Sequence, residues 1–568
     1  MNDPMTSGLR ASILCCAALA ALALSGCGGG GGAKTDTPPP SGPRTLAVSG
    51  AAYAGAALAN AAVESKCASG VGSATTAANG SYTLAIPQAQ LPCVLRVKQS
   101  DGSWLYSLAT GSGDSATANL SPLTLLVVAR HAGGAAAGYY DGFGASAAGA
   151  LTPAAAQAAT AAVALALKDG GFDPAPAGDP LTASLGAGTA QAQFIDTLGA
   201  ALKTSQSSWP DLATALAASQ GTAPSATPSL PAAALLQPAA ANCASLRSGK
   251  ARLVVNEPGT TQPSTKTVTL DATTLTVTDG KDGGGTLQAQ GVCRLTNPAS
   301  GAEFVVTSAG LAVARISSNG PVLRGALLFP EQTHALAALA GDWNLLGFDR
   351  VIDGGPVQLV SQTFSLDASG KLTALSQCND LRNCSSPSPL PSVSLVANPA
   401  GGFDIVNAAN SDRDRLFAYR AGGGELMLVT LSASGHIGLA TRKQVVPLPE
   451  LGLVQDNVTL TLTDKYVAPL PLDLSRNTVA SVDSAAGSYV RNNVVNFSTG
   501  VTRPETLQIN QPRPGLVYRV PAGSVPLSDG SGNSTVREFY SLPLRGMGLS
   551  VVALTSSNQL LLSARAGN

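Results

Sequence analysis

Three histidines are the side chains that titrate near neutral pH without a large pKa shift, so they are the first candidates for acid–base chemistry. His131 is expected at the end of a helix, and His436 is expected in a hairpin. His334 follows Glu331 by three residues in a predicted loop. Such a pair could act as acid and base, although a capped turn explains the same residues and is favoured.

Carboxylates offer a second kind of chemistry, because two of them at a set separation are enough for glycoside hydrolysis, however distant in sequence. The candidate carboxylates are Glu331, Asp342, Asp349, Asp412, Asp414 and Glu425. The charges of residues 412–415 alternate in sign, which is also typical of a solvated strand edge that deters pairing between sheets. A hydrolase of an envelope or extracellular polymer therefore stays open as an alternative function.

Sequence motifs that position familiar catalytic groups are absent from the chain. It contains no G-x-S-x-G nucleophile elbow, H-E-x-x-H zinc helix, C-x-x-C-H haem site or Walker loop. Residues 279–283 and 529–533 are too short for the oxygen shell of calcium, which favours turns. We expect no catalytic residue, cofactor or metal, and the sequence leans towards a protein that is not an enzyme.

A tryptophan near the middle of the chain indicates a binding site. Gly341-Asp342-Trp343 resembles the G-x-W opening strand of lipocalin-like, up-and-down barrels, and about eight predicted strands follow before residue 442. The resemblance implies a barrel with room for side chains or one small ligand. The alternative, which explains the motif equally well, is a filled barrel in which Trp343 closes one end. Phe417 and Tyr419 share one strand face and are further candidates, although core packing is their default reading.

The chain from residue 243 onwards consists of short alternating runs separated by turns of hairpin length, which predicts antiparallel β-structure. We expect a β domain over 243–335, an eight-stranded barrel-like domain over 336–450 and a C-terminal β domain over 451–568. Gly249-Lys250-Ala251 and Gly487-Ser488-Tyr489 resemble the Trp343 motif weakly. Three related units and one interleaved sheet both remain open.

A second resemblance lies near the N-terminus. Val48-Ser49-Gly50, residues 57–63 and residues 75–84, which include Asn79-Gly80-Ser81-Tyr82, resemble the carboxypeptidase regulatory-like, transthyretin-like domain. The resemblance implies a β-sandwich over 45–120 that acts as a non-catalytic spacer or binding module. Asn79-Gly80 is also the pair that a tight turn with positive φ requires.

Helix signals replace strand signals after the sandwich. Ser121-Pro122 and Thr152-Pro153 each place an N-cap residue before a proline, and alanine is frequent over residues 121–220. We expect a small helical layer there, followed by a linker over 221–242. A membrane-surface helix is the alternative, but the basic face that such helices need is missing.

The first 27 residues predict the location of the protein. An apolar run over residues 11–24 follows Arg10 and is too short to be a transmembrane helix of about 20 residues. Leu24-Ser25-Gly26-Cys27 resembles the bacterial lipobox, which implies a signal peptide over 1–26 and a lipid on Cys27. Acyl chains can anchor a protein without a spanning helix, so we expect outer-membrane attachment with residues 27–44 as a tether. Whether the body faces the periplasm or the exterior stays open.

Six cysteines follow the predicted signal peptide and lipid site. They fall into sequence-local pairs, which favours disulfides in an oxidising compartment over a metal site, since no C-x-x-C occurs. The expected pairs are Cys67–Cys93, Cys243–Cys293 and Cys378–Cys384.

Composition excludes one class of partner. Lys+Arg and Asp+Glu number 34 each, and only 12% of residues are charged, so the chain has no overall field to attract nucleic acid. The sequence therefore predicts a mainly β, lipid-anchored bacterial envelope protein that acts as a non-catalytic binding or structural module. The expected partner is an apolar small molecule, a glycan or a surface protein, and a subunit of an adhesion or secretion assembly is a further alternative.

Overall fold

The computed structural model describes residues 44–219, 230–255, 265–280, 284–317, 323–350, 357–378, 381–409, 413–432, 437–463 and 472–567. The predicted signal peptide, Cys27, Asp412, His436 and most of the tether lie outside the described residues. From Arg44 onwards the chain forms one unit, and it is mainly β with a small helical part, as predicted.

The N-terminal region is a β-sandwich. Its strands are β1 (Thr45–Ala51), β2 (Ala62–Ser69), β3 (Val71–Thr75), β4 (Ser81–Pro87), β5 (Gln90–Lys98), β6 (Trp104–Ala109) and β7 (Ser115–Thr117). One sheet has the order β4–β1–β7 and the other β3–β2–β5–β6. Alternate residues of β4 are buried, so Tyr82 and Leu84 share the core face. Gly80, in the preceding turn, has φ +82°, which glycine adopts without strain.

Helices pack against the second sheet of this sandwich. They are α1 (Pro122–Ala132), α2 (Ala136–Asp141), α3 (Ala145–Ala150), α4 (Pro153–Asp169), α5 (Ala190–Thr204) and α6 (Trp209–Ala218). Ser121 and Thr152 cap α1 and α4, because their hydroxyls accept bonds from the backbone of Thr124 (3.3 Å) and Ala155 (3.1 Å). The short α2 and α3 have no side-chain cap, and the sequence did not predict them. Within the described residues, no helix combines the length and the apolar character that crossing a bilayer requires.

The first large sheet has nine strands after a small hairpin. The hairpin strands are β8 (Ala239–Ala240) and β9 (Cys243–Arg247), and the sheet comprises β10 (Gly249–Val255), β11 (Thr265–Asp271), β12 (Thr276–Thr278), β13 (Gly284–Thr286), β14 (Gln288–Ala289), β15 (Arg294–Asn297), β16 (Ala302–Val306), β17 (Ala312–Ser317) and β18 (Leu323–Pro330). The strand order is β13–β12–β11–β10–β18–β17–β16–β15–β14. Leu253, Leu270 and Val306 belong to the apolar cluster of its inner face.

The second large sheet also has nine strands. They are β19 (Gly341–Arg350), β20 (Val357–Leu366), β21 (Leu372–Cys378), β22 (Cys384–Ser385), β23 (Val393–Ala397), β24 (Phe403–Asn407), β25 (Arg413–Arg420), β26 (Leu426–Leu431) and β27 (Ile437–Arg442). The order β22–β21–β20–β19–β27–β26–β25–β24–β23 repeats that of the first sheet. Among the described residues its edge strands are not paired, although an isolated bridge joins Lys371 to Ser394.

A closed eight-stranded barrel ends the chain. Its strands are β28 (Val454–Thr463), β29 (Asp473–Asp483), β30 (Ser488–Asn496), β31 (Val501–Ile509), β32 (Val517–Arg519), β35 (Phe539–Leu544), β36 (Leu549–Leu554) and β37 (Gln559–Ala564). A hairpin of β33 (Ala522–Pro526) and β34 (Asn533–Val536) is inserted after β32. Pairing of β28 with β37 closes the wall. The closed barrel therefore lies in the C-terminal segment, whereas the segment expected to form a barrel, residues 336–450, is an open sheet over its described residues.

The three β units share one plan, in which the first strand of each meander pairs with the last. These pairs are β10 with β18, β19 with β27 and β28 with β37. Gly249 and Gly341 begin the first strands of the two open sheets, with φ values of +138° and +120°. Gly487 instead lies in the turn before β30, so its motif is not equivalent to theirs. Each segment thus builds its own sheet rather than sharing an interleaved one.

The outer faces of the three units meet in one central apolar core. Leu327 of the first sheet, Leu439 of the second and Leu562 of the barrel are all fully buried in it. Since side chains alternate across a strand, the neighbours of these residues point to the inner faces. Each unit consequently has a separate interior.

Disulfides join the three predicted cysteine pairs, Cys67–Cys93, Cys243–Cys293 and Cys378–Cys384. Their sequence separations are 26, 50 and 6 residues. One bond joins the neighbouring strands β2 and β5 of one sandwich sheet, one ties β9 to the residue before β15, and one joins β21 to the edge strand β22. The closed barrel contains no cysteine.

Candidate functional site

Trp343 plugs one end of the second sheet. Its side chain is fully buried, and Nε1 donates a 2.9 Å hydrogen bond to the carbonyl of Leu339, in a short 3₁₀ helix before β19. The indole stacks with Phe364, and the guanidinium of Arg442 lies 4.0 Å from the ring centroid on the last strand. Arg442 also donates to the carbonyl of Ala340 at 2.6 Å. No face of Trp343 is left for a ligand, because both are covered by other side chains.

A polar pocket lies immediately outside this plug. Its volume is 440 Å³, within the range of small-molecule sites. Charged and amide side chains dominate its wall: Asp342, Arg420, Glu425, Arg442, Lys443 and Gln444. The cavity near Trp343 is therefore a polar one on the outside of the plugged end, not an apolar one inside the sheet.

Glu425 is the unusual group in this pocket. It is only 6% exposed, yet among the described residues its carboxylate makes no hydrogen bond and no ion pair. The neighbouring arginines are engaged elsewhere: Arg420 donates to the carbonyl of Gly424 at 2.7 Å, and Arg545 donates to Gln444 at 3.1 Å. Burial raises the pKa of Glu425, and the charges of Arg545, Arg420 and Arg442 oppose that rise. The carboxylate oxygens are not among the fully buried unpaired atoms, so they are open to the pocket, where a ligand donor can reach them.

Asp342 is the other carboxylate of the pocket. Its Oδ1 accepts a 2.6 Å hydrogen bond from Ser365, and its backbone carbonyl accepts from Lys443. Two of the six candidate carboxylates, Asp342 and Glu425, are thus brought to one cavity. Carboxylate oxygens accept hydrogen bonds from hydroxyl groups, and guanidinium and ammonium groups donate hydrogen bonds to hydroxyl oxygens. This wall therefore suits a ligand rich in hydroxyl groups.

Phe417 and Tyr419 lie on the opposite face of the second sheet from Trp343. Both are buried in the central core, so the structure does not bring the three predicted aromatic residues together. The hydroxyl of Tyr419 donates to the carbonyl of Ala309, and burial raises its pKa. The ring of Phe417 lies 4.8 Å from the guanidinium carbon of Arg252. Tyr419 is a core residue, whereas Phe417, although buried in the same core, also lines a pocket of 220 Å³.

Glu331 and His334 line a smaller pocket of 220 Å³ where the two open sheets meet. Glu331 pairs with Arg252 and also accepts from Thr267 at 3.3 Å. His334 Nε2 lies 3.0 Å from the amide oxygen of Gln332, and burial, aided by a neighbouring arginine, lowers its pKa to about 4. Within the described residues the two side chains do not bond to each other, so the suggested acid–base pair is not formed.

The remaining candidates are dispersed. His131 lies on α1, with Nε2 3.1 Å from the hydroxyl of Tyr139. Asp279 pairs with Lys266 at 3.1 Å, and Asp529 accepts from the backbone of Ser531 in a turn. Asp414 lies on β25, whereas the side chain of Asp349 is outside the described part of the chain. No group of three His, Cys, Asp or Glu residues gathers as a metal site in the described ranges.

Comparisons with known proteins give no further support for a fold or a function. No protein-family model matches the sequence, and no curated protein matches it either. Among solved structures, a protein of unknown function from the DUF3598 family of Nostoc punctiforme is 11% identical with a TM-score of 0.13, covering 41% of this chain and 100% of its own. Isotype 1 transferrin binding protein B from serogroup B Neisseria meningitidis is 8% identical with a TM-score of 0.13, covering 53% of this chain and 58% of its own. At such TM-scores neither neighbour indicates a function for this chain.

Sequence reasoning missed the role of the arginines around the pocket. Arg420, Arg442 and Arg545 were not among the candidates, although Arg442 ends the strand that pairs with the Trp343 strand. One signal was available: Glu425 directly follows the glycine run 422–424, which leaves open space beside the carboxylate. A charged residue directly after a glycine turn is, however, too common to single out a site.

Proposed function

We propose that this chain is a lipid-anchored bacterial envelope protein that acts as a non-catalytic binding module for a polar, hydroxyl-rich ligand such as a glycan. The lipobox-like segment ending in Cys27 supports the anchor and an outer-membrane location. The three disulfides support an oxidising compartment, since such bonds are rare in the cytosol. The membrane is then contacted through the N-terminal lipid.

One observation carries the binding proposal. Glu425 is a buried carboxylate with no hydrogen-bond donor among the described residues, and it lines a 440 Å³ pocket beside Asp342 and Lys443. A ligand hydroxyl supplies the missing donor, and the cationic side chains supply donors to ligand oxygens. The absence of any aromatic face in the pocket wall argues against an apolar ligand.

The N-terminal sandwich fits the role of a spacer. Its two sheets and the Asn79-Gly80 turn are compatible with a carboxypeptidase regulatory-like domain, which the sequence motifs resemble. In this proposal the sandwich separates the lipid from the β units, so the pocket stands away from the membrane surface.

Titration calorimetry of the full-length protein in detergent tests the binding proposal. The probes are maltotriose, cellotriose and chitotriose. We expect at least one of them to bind with a dissociation constant below 1 mM, which corresponds to a binding free energy of about −4 kcal/mol. Glu425→Gln should weaken that binding about tenfold or more. Glu450→Gln is the matched control, because Glu450 is exposed and outside the pocket, and it should leave binding unchanged. Equal binding by both variants, or none by the unmodified protein, contradicts the proposal.

Metabolic labelling with a palmitate analogue tests the anchor. The labelled band should appear for the unmodified protein and vanish for Cys27→Ser. Label that persists in Cys27→Ser, or that never appears, contradicts lipid anchoring without bearing on the pocket.

A second candidate function, hydrolysis of a polymer, is favoured by one specific observation. Asp342 and Glu425 line one pocket, and the raised pKa of Glu425 suits a general acid. Incubating the same oligosaccharides with the protein and measuring new reducing ends separates the two functions. Turnover that disappears in both Asp342→Asn and Glu425→Gln supports the enzyme, whereas binding without turnover supports the module.

A further inference from the structure

On β28 and β37 of the closed barrel, the inward side chains are more accessible than the outward ones. On β28 and β37, Leu460 and Leu562 point outwards into the central core and are fully buried. Their neighbours Thr459, Thr461 and Leu561 point inwards and are only half-buried. Because the central core covers the outer face of these two strands, the accessibility of their inward side chains is to the interior side of the barrel wall. Eight strands are enough to hold one small ligand.

A cluster of charged side chains on the inner wall contains more arginines than carboxylates. Glu505 of β31 is completely buried and accepts hydrogen bonds from Arg491 (2.8 Å), Arg503 (2.9 Å) and Arg519 (2.9 Å). One carboxylate thus faces three guanidinium groups. Burial by itself raises the pKa of Glu505, but the three arginines lower it by more. The pKa is therefore lowered overall, which favours the charged carboxylate that the arginines pair with. Two positive charges remain without a partner carboxylate in this cluster.

Some N–H groups of these arginines remain available as hydrogen-bond donors. Arg491 uses Nε and Nη2 on Glu505, and Arg519 uses Nε on the carbonyl of Arg537 and Nη1 on Glu505. Within the described residues, Nη1 of Arg491 and Nη2 of Arg519 make no hydrogen bond. Both arginines lie over Phe539, with guanidinium carbons 5.6 and 4.1 Å from the ring centroid, within the range of cation–π contacts.

An unsatisfied acceptor lies on the same inner wall. Asn477 of β29 is 6% exposed, and its Oδ1 is buried with no hydrogen-bond partner. It pairs in register with Asn493 on β30, two residues from Arg491, and alternation places all three side chains on the inner face. The wall therefore presents spare donors and a spare acceptor to the same interior.

We propose that the interior of the closed barrel is a second binding site, separate from the Glu425 pocket, for a small molecule that carries an oxyanion and a hydroxyl group. The oxyanion accepts from Arg491 and Arg519 and offsets the excess positive charge. The hydroxyl donates to Asn477 Oδ1. A sugar acid has both groups, and a free inorganic oxyanion has the first, so the two sources share the chemistry that the arginines recognise.

Titration calorimetry at constant ionic strength tests this site with glucuronate, glucose and sulfate. Glucuronate or sulfate should bind saturably, and glucose, which lacks the charge, should bind at least tenfold more weakly. Tighter binding of glucuronate assigns the ligand to the sugar acids, and tighter binding of sulfate assigns it to inorganic oxyanions. Absence of binding by both anions overturns the proposal.

Variants locate the binding within the barrel. Arg491→Gln should weaken anion binding at least tenfold, whereas Arg476→Gln, which removes an exposed arginine from the outer face of the same barrel, should not change it. Asn477→Leu should weaken glucuronate but not sulfate. Equal effects of Arg491→Gln and Arg476→Gln reveal an adventitious ion only and overturn the site.

Glu505→Gln supplies a test of opposite sign. Removing the internal carboxylate frees three guanidinium groups, so anion affinity should rise about tenfold even though the protein is less stable. If this variant does not fold, Asn477→Leu, which leaves the charged cluster intact, still decides the site. Glu425→Gln should leave anion binding in the barrel unchanged, which separates failure of this site from failure of the pocket.

Discussion

The second open sheet and the closed barrel share a meander in which the first strand pairs with the last, but their interiors are opposite in character. The open sheet encloses a packed apolar cluster around Trp343 and Phe364. The barrel encloses Glu505, its arginines and half-buried threonines, and only a small apolar cluster around Phe539. The two interiors differ because the walls around them are stabilised in different ways.

Closure of the hydrogen-bond ladder explains this difference. In the barrel every described wall strand has two neighbours, so the wall is held by backbone pairing and its interior is free to be polar and accessible. The open sheets have unpaired edges, and each depends on a filled interior and a disulfide. Polar and charged groups therefore collect inside the closed unit and outside the end of the open sheet that Trp343 fills.

Removing the plug of the open sheet should give the largest loss of stability. Trp343→Ala deletes a fully buried side chain, and we expect a loss of about 3–5 kcal/mol in the free energy of unfolding. Val552→Ala, on the accessible inner wall of the barrel, should cost about 1 kcal/mol or less, because that side chain is only half-buried. Chemical denaturation followed by circular dichroism measures both. Similar losses would show that the barrel interior is as tightly packed as that of the open sheet.

Disulfide removal tests the dependence of the open sheets on covalent ties. Cys243→Ser with Cys293→Ser opens a 50-residue separation and should cost about 4 kcal/mol by loop-closure entropy. Cys378→Ser with Cys384→Ser opens a 6-residue separation and should cost about 2 kcal/mol. Calorimetric melting of both double variants checks the order. A reversed order would mean that the edge of the second sheet depends on its bond more than chain entropy predicts.

Breaking the charged cluster tests whether the barrel tolerates its polar interior only when that interior is paired. Glu505→Gln leaves three arginines without a carboxylate and should cost about 3 kcal/mol at pH 7. The folded-state pKa of Glu505 is lowered, so its contribution is present above the unfolded value of about 4.3 and is lost as pH falls through the folded value. The difference between the two proteins should therefore shrink on acidification below about pH 4. A difference that stays constant there would exclude the carboxylate charge as its source.

Local features of the fold could be predicted from the sequence because their causes are local. The caps at Ser121 and Thr152 follow from an N-cap residue before proline, and the turn at Gly80 follows from Asn-Gly. The disulfide pairs follow from the proximity of the cysteines in sequence. The mainly β class follows from alternation of apolar residues and short turns.

The sites depended on facts that lie outside any local pattern. Trp343 and Phe417 both look like ligand-facing aromatics, but whether a strand face points inwards or towards a neighbouring sheet depends on how the units pack. Which segment closes depends on whether its fourth and fifth strands pair, and turn residues do not reveal this. The excess charge in the barrel depends on Arg491, Arg503 and Arg519 meeting across three strands.

The contact between the two open sheets offers the smallest test, because it contains the half-buried imidazole of His334. Burial lowers its folded-state pKa to about 4, so the ring is neutral in the folded protein at pH 5 while the unfolded chain binds a proton below about 6.5. Stability from this residue is therefore complete above about pH 6.5 and falls as pH drops towards 4, by on the order of 1–2 kcal/mol. His334→Gln removes that proton uptake, so the variant should lose less stability than the unmodified protein between pH 7 and pH 5. The free energy of unfolding of both proteins is measured against pH by chemical denaturation. If the two curves run parallel, the ring is as accessible as the inner wall of the barrel. The open sheets would then be less tightly packed where they meet than inside.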